Sequence, residues 1–148
     1  MATNKAKGTA WETSLVRSLG AFFRGASGLE PRRVAQEGFL DTGDIHGIDP
    51  FIAQAKNYKS WETAIREGLD GAEVQRVRAK RDYGVAFVKR ARRSTGDGYA
   101  VMTVATWARL LLRLRRAEDL LGQADPALLA YHREATGLDN DAAFPKGL

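Results

Sequence analysis

Cysteine is absent from this chain of 148 residues, and histidine occurs only twice, at His46 and His132. The first absence excludes disulfides and thiolate metal sites, and the second leaves too few imidazoles for a histidine-rich zinc centre. Any metal site has to be built from oxygen, which suits Mg²⁺ or Mn²⁺. Long apolar runs are missing too. None approaches the roughly 18–20 residues of a membrane span. The amino terminus, Met-Ala-Thr-Asn-Lys-Ala-Lys-Gly, has no hydrophobic signal region. A cytoplasmic protein with no membrane partner is expected. No internal repeat or low-complexity segment interrupts the chain.

What is present fits a soluble globular protein. Hydrophobic residues make up 44% and charged residues 28%, enough for one real core, so a single domain over 1–148 is expected. The net charge is +5, and it is uneven. Between Arg76 and Arg93 stand eight bases (Arg76, Arg78, Lys80, Arg81, Lys89, Arg90, Arg92, Arg93) against one acid, Asp82. That surplus exceeds the whole chain's. A localised basic stripe is the footprint of a polyanionic partner; the bland alternative is a solvated helix face.

Periodicity and turn chemistry give a coarse map. Residues 1–8 are small and polar, and a flexible start is expected. Trp11, Leu15, Leu19, Phe22 and Phe23 recur at helical spacing, predicting a helix over Ala10 to Arg24 that Gly25 to Gly28 break. A short strand is expected around Arg32 to Gln36. A hairpin follows, with strands Phe39 to Ile48 and Phe51 to Tyr58 around Asp49-Pro50. Ser60 caps a helix from Trp61 that weakens at Gly68 to Gly71. Asp70 and Glu73 form a capping box for its continuation to Arg81. Strands Gly84 to Arg90 and Tyr99 to Ala105 come next. Thr106 caps a helix through Trp107, Leu110, Leu111 and Leu114. Asp125-Pro126 opens a last helix that Gly137 ends, before a tail over 138–148. The order predicts an α/β or α+β layer fold with one mixed sheet.

Two strings ten residues apart carry the chemistry: Gly43-Asp44-Ile45 and Gln54-Ala55-Lys56. An acid followed by a polar-x-lysine step on the next apolar run is what metal-dependent phosphodiester cleavage needs. Asp44 is suited to hold a divalent cation, Gln54 to add an oxygen ligand, and Lys56 to set a positive charge beside the scissile phosphate. Period-two geometry puts Gln54 and Lys56 on one strand face and Phe51, Ala53 and Ala55 on the other. A regular two-residue turn would pair Asp44 with Ala55 and favour Asp41 as the acid. An odd loop or a one-residue bulge would bring Asp44 opposite Lys56. Asp44 is preferred, so an odd loop or bulge is expected. Separately, Asp44 reads as a turn acid and Gln54-Ala-Lys56 as an ordinary exposed strand face. Glu12 borders the Trp11/Leu15/Leu19 face and is a third candidate, although Thr9-Ala-Trp-Glu12 also fits a capping box. His46 would share a face with Asp44 in a regular strand, but a lone strand histidine is usually structural.

These residues resemble the PD-(D/E)xK nuclease superfamily, and most of all the small Holliday-junction resolvases of archaea and bacteriophages. The likeness rests on Glu12, Gly43-Asp44-Ile45, Gln54-Ala55-Lys56 and the element order. It covers roughly Lys5 to Ala105. It implies an α/β restriction-endonuclease-like core, a central mixed sheet flanked by helices, with extra C-terminal helices. It also implies a Mg²⁺-dependent endodeoxyribonuclease (Mn²⁺ as a substitute) that resolves junctions, acts as a homodimer on four-way DNA, and works in the host cytoplasm if phage-encoded. Asp44, the Ala55 carbonyl, the Gln54 oxygen and Glu12 would hold the metal. Lys56 would orient the attacking water or stabilise the transition state. Arg32, Arg33, Lys89, Arg90, Arg92 and Arg93 are the candidates for DNA-phosphate contacts. The family usually has Glu where this chain has Gln54, which removes one anionic ligand, and Gly43 stands in place of the family's proline. The alternatives are another nuclease on the same fold, such as an exonuclease or a repair or restriction enzyme, a DNA-binding module with a decayed site, and a purely structural basic protein.

Overall fold

A computed structural model describes residues 2–34, 41–135 and 144. The chain divides into two compact units, one reaching Met102 and the other spanning Thr103–Phe144.

The first unit opens with helix α1, Asn4–Phe22. It starts six residues before the expected Ala10, so the expected flexible start gives way to helix from Asn4. The Thr3 side chain accepts a hydrogen bond from the Ala6 amide at 3.1 Å, satisfying one of the donors orphaned at a helix start. Thr9 and Glu12 therefore lie inside the helix, and the expected capping box does not form. Strand β1 is Arg32–Arg33, β2 is Ile45–Ile48 and β3 is Phe51–Lys56. Helix α2, Trp61–Arg78, leads to β4, Tyr83–Val88, and after a 3-10 turn at Thr95–Asp97 to β5, Tyr99–Val101. The strands form one sheet in the order β1-β2-β3-β4-β5. Among the described residues only the β3–β4 pair, joined through α2, is parallel. The expected mixed sheet and element order are present. The parts of the expected strands over residues 35–40, the helix stop at Gly137 and the tail over 138–148 lie outside the described residues, Phe144 aside.

Both faces of β3 are covered, so its central residues are buried on either side. Ala53 and Ala55 join Trp11, Leu15, Ile45, Ile48 and Val85 in the core under α1. The Trp11 indole donates to the Phe87 carbonyl at 3.0 Å, pinning α1 to the sheet. The opposite face meets α2, which is a single unbroken helix. Ser60 caps it as expected, its hydroxyl accepting from the Thr63 amide. The expected weakening at Gly68 to Gly71 does not occur, for a packing reason. A Cβ on Gly68 would lie 3.0 Å from the Ala86 Cβ and 3.1 Å from the Lys56 Cγ. With Ala64 and Ala72, which are also buried, Gly68 makes a small-residue stripe at four-residue spacing. This stripe lets the helix backbone approach the sheet closely. A Cβ on Gly84 would come 2.6 Å from the Ala72 carbonyl oxygen. Gly84→Ala should therefore cost about 2 kcal/mol through overpacking, read as a lowered urea midpoint at unchanged slope.

The second unit contains α3, Val104–Ala124, and α4, Pro126–Ala135. Thr103, rather than Thr106, caps α3, its hydroxyl accepting from the Thr106 amide at 3.0 Å. Asp125 accepts from the Ala127 and Leu128 amides and starts α4 as expected.

Candidate active site

The site is set by the β2–β3 connection. Ile48 pairs with Phe51 across a two-residue Asp49-Pro50 turn, whereas Ile45 pairs with Ala53, so the register slips by one residue. The expected bulge is there, on the β2 side. Its sense differs from the expectation, because carrying the Ile45–Ala53 register one step further sets Asp44 across from Gln54 rather than Lys56. The Asp44 amide donates to the Ala53 carbonyl at 2.9 Å. Its Oδ2 accepts from the Ala55 amide at 2.8 Å. Main chain thus holds Asp44 at both ends while its carboxylate reaches past Gln54 toward the end of β3.

Asp41, the alternative acid, is otherwise engaged. Its Oδ1 accepts from the Gly43 amide at 3.0 Å and its Oδ2 from the Gln75 side chain at 2.8 Å.

Asp44, Ala55 and Lys56 line one polar cleft of about 600 Å³ together with Glu12, Asn4, Lys7, Gly8, Asn57, Tyr58, Lys59 and Ala91. The cleft lies at the carboxyl ends of the parallel pair β3 and β4, where α/β sheets commonly bind ligands. Asp44 is only 6% exposed. Burial, reinforced by the Glu12 charge, pushes its carboxyl above the ordinary value of 3.8, and the Ala55 amide and Lys56 oppose that rise. Two carboxylates lining one cleft, with no soft ligand beside them, suit a small hard cation. Among the described residues no three of His, Asp and Glu converge; Gln54, expected to add an oxygen ligand, carries an amide rather than a carboxylate.

Gln54 departs from the expected cluster. It is buried, does not line the cleft, and donates its amide to the Gln75 side-chain oxygen. Gln75 in turn donates to Asp41. Because a carboxylate only accepts, Asp41 fixes the orientation of Gln75, and Gln75 that of Gln54. Glu12 is also engaged, its Oε2 accepting from the Arg33 Nε at 2.8 Å. Arg33 thus sits at the Glu12 side of the site with its charge already opposed.

The remaining basic candidates fall into two places. Arg32 is exposed on β1, paired with His46 in the register. The Lys89 amide donates to the Lys56 carbonyl at 3.0 Å, so the run Lys89, Arg90, Arg92 and Arg93 leaves β4 next to the site, and Ala91 lines the cleft. Arg90 lies over the Tyr99 ring at 5.0 Å. Arg92 and Arg93 are exposed. His46 lies outside the cleft, its ring bonded to Thr42, and burial lowers its pKa.

Sequence reasoning passed over Tyr58, Lys7 and Lys59. Tyr58 is two residues beyond Lys56, whose ammonium lies 5.7 Å from the ring centroid. Its phenol is pushed up by burial and then by its hydrogen bond to Glu67. An aromatic at the i+2 position from the lysine was the available signal. No helix among the described residues is long and apolar enough to cross a membrane. Set against known proteins, the chain matches no family model, no curated protein and no solved structure.

Proposed function

We propose that this chain is a metal-dependent, structure-specific DNA endonuclease that resolves four-way junctions on a restriction-endonuclease-like core. The observation that carries the reading is the convergence of Glu12, Asp44, Ala55 and Lys56 on one cleft. The three-strand meander followed by a helix and a parallel strand supports it. Glu12, Asp44 and the Ala55 carbonyl would hold Mg²⁺ or Mn²⁺, with the Gln54 oxygen behind them. When bound, the cation supplies Lewis-acid polarisation of the phosphate and a lowered pKa for a nearby water. Asp44 is held in place for this by the Ala55 amide. Lys56 keeps its ammonium beside the phosphate and stabilises the charge that builds there. The basic run from Lys89 to Arg93 holds the backbone without reading bases, which suits recognition of branch shape. Cutting two opposed strands calls for two copies of the site, hence a homodimer.

The test is incubation with synthetic four-way junctions with and without Mg²⁺, with cuts mapped on all four strands. Paired, metal-dependent cuts near the branch point are expected, and linear duplex should be cut far more slowly. Lys56→Ala should lower the cleavage rate by about 10²-fold or more, the scale for losing one transition-state donor, while junction affinity stays near wild type. Equal cutting of duplex would move the reading to another nuclease on this fold. The engagement of Gln54 with Gln75 favours a second reading, a DNA-binding module with a decayed site. That module would bind junctions and leave every strand intact at any Mg²⁺ concentration.

A further inference from the structure

The cleft is larger than the metal and scissile phosphate require, and its walls differ in charge. Glu12, Asp44 and Ala55 make an acidic wall, while Asn4, Lys7, Asn57 and Lys59 belong to the rest. A volume of about 600 Å³ is on the scale of a nucleotide-sized ligand rather than a single ion. The elements that carry the second wall are joined. The Asn57 side-chain amide donates to the Lys7 carbonyl at 3.2 Å, tying the segment after β3 to the second turn of α1. Lys7 and Lys59 are therefore presented to one space by backbones that are fastened together. Of the three lysines there, Lys56 has Asp44 and the Tyr58 ring as neighbours. Neither Lys7 nor Lys59 forms an ion pair among the described residues. Two such ammonium groups beside a hydrogen-bonding Asn4 make an anion-binding wall.

We propose that Lys7 and Lys59, with Asn4, form a phosphate subsite that holds the backbone phosphate next to the scissile one. The DNA strand would then run from Asp44 and Lys56 toward the start of α1. The inference rests on reading the cleft as a phosphodiester-cleaving site, and it adds the direction in which the strand leaves that site. A lysine that neutralises one phosphate releases condensed counterions, so its loss lowers the salt dependence of binding as well as the affinity.

The experiment is fluorescence anisotropy of a labelled four-way junction across a range of NaCl, in EDTA so that no metal takes part. It compares wild type, Lys7→Gln, Lys59→Gln, the double variant, and Arg24→Gln as a charge control past the far end of α1. Lys7, Lys59 and Arg24 are all exposed, so the substitutions leave the core intact. Each cleft variant should reduce the slope of log K against log [salt] by about 1, with the double variant losing both. Affinity should fall about tenfold per lysine near physiological salt, and Arg24→Gln should match wild type. A double variant with the wild-type slope overturns the subsite, as does an Arg24→Gln slope lowered to the same extent. Wild-type protein that binds no DNA overturns the subsite and the nuclease reading together. The expected slopes without Mg²⁺-dependent cutting would leave the subsite standing and remove the nuclease reading alone.

Discussion

Asp44→Asn is expected to abolish junction cleavage and, at neutral pH, to raise the melting temperature of the protein. The two effects share a cause. Asp44 is buried and faces the Glu12 charge, so its carboxyl titrates above its ordinary value. A group whose folded-state pKa is raised contributes its stability below the unfolded value, and that contribution is lost as pH rises through the folded value. The ionised Asp44 is thus a net liability in the metal-free protein at pH 7. Asparagine is close to isosteric, carries no charge, and retains an oxygen that can accept from the Ala55 amide. The melting-temperature gap between Asp44→Asn and wild type should be smallest below about pH 4 and widen toward neutrality. Mg²⁺ should reverse the order. At about a hundred times its Kd, the ion would stabilise wild type by about 2.7 kcal/mol and leave Asp44→Asn unmoved. Cleavage should fall by about 10³-fold or more, since several kcal/mol of charge stabilisation disappear with the ligand. Thermal scans at several pH values, with and without Mg²⁺, check the stability half without any substrate. An Asp44→Asn protein less stable than wild type at neutral pH, or still stabilised by Mg²⁺, would remove Asp44 from the metal site.

Much of this arrangement was legible because strand periodicity is simple. Alternation alone assigned Gln54 and Lys56 to one face of β3 and Ala53 and Ala55 to the other, and the core under α1 agrees. The bulge was expected because it would set Asp44 opposite Lys56, but nothing in Ile45-His-Gly-Ile48 dictates its sense, and the sense it takes sets Asp44 across from Gln54. What sequence could not supply was the identity of neighbours. Gln54 faces α2, and its partner Gln75 is twenty-one residues away. Gly68 and Gly71 looked like helix breakers because propensity penalises glycine. Packing reverses that sign where the helix must approach Ala86, Lys56 and Gln54. The same tertiary override extended α1 back to Asn4 and brought Lys7 into the cleft. Thr3 was a cap signal in plain view, inside the small, polar start that read as flexible.

Gly47→Ala is expected to be among the most destabilising single substitutions in the chain, and to damage the site from a distance. Gly47 lies within the β2 bulge at φ +75°, a region where a Cβ costs about 1–2 kcal/mol. Space adds to the conformational cost. A Cβ there would lie 1.8 Å from the Glu30 carbonyl oxygen and 2.6 Å from its carbon. These are backbone atoms and cannot swing aside as a side-chain tip would. The Glu30 amide also donates to the Gly47 carbonyl at 2.9 Å, so moving one segment off the other breaks that bond. The combined cost should reach about 3 kcal/mol, a fall on the order of 10 °C in melting temperature. Gly25→Ala is the control. Its φ is +85°, but a Cβ there meets nothing within 4 Å, so only the conformational part, about 1 kcal/mol, should appear. The difference between the two variants isolates the clash with Glu30. Because the bulge sets the register that delivers Asp44 to the Ala55 amide, Gly47→Ala should also weaken Mg²⁺ stabilisation at temperatures where it remains folded, whereas Gly25→Ala should not. Equal melting temperatures for the two variants would mean that the Glu30 contact yields at little cost and that the bulge does not depend on glycine.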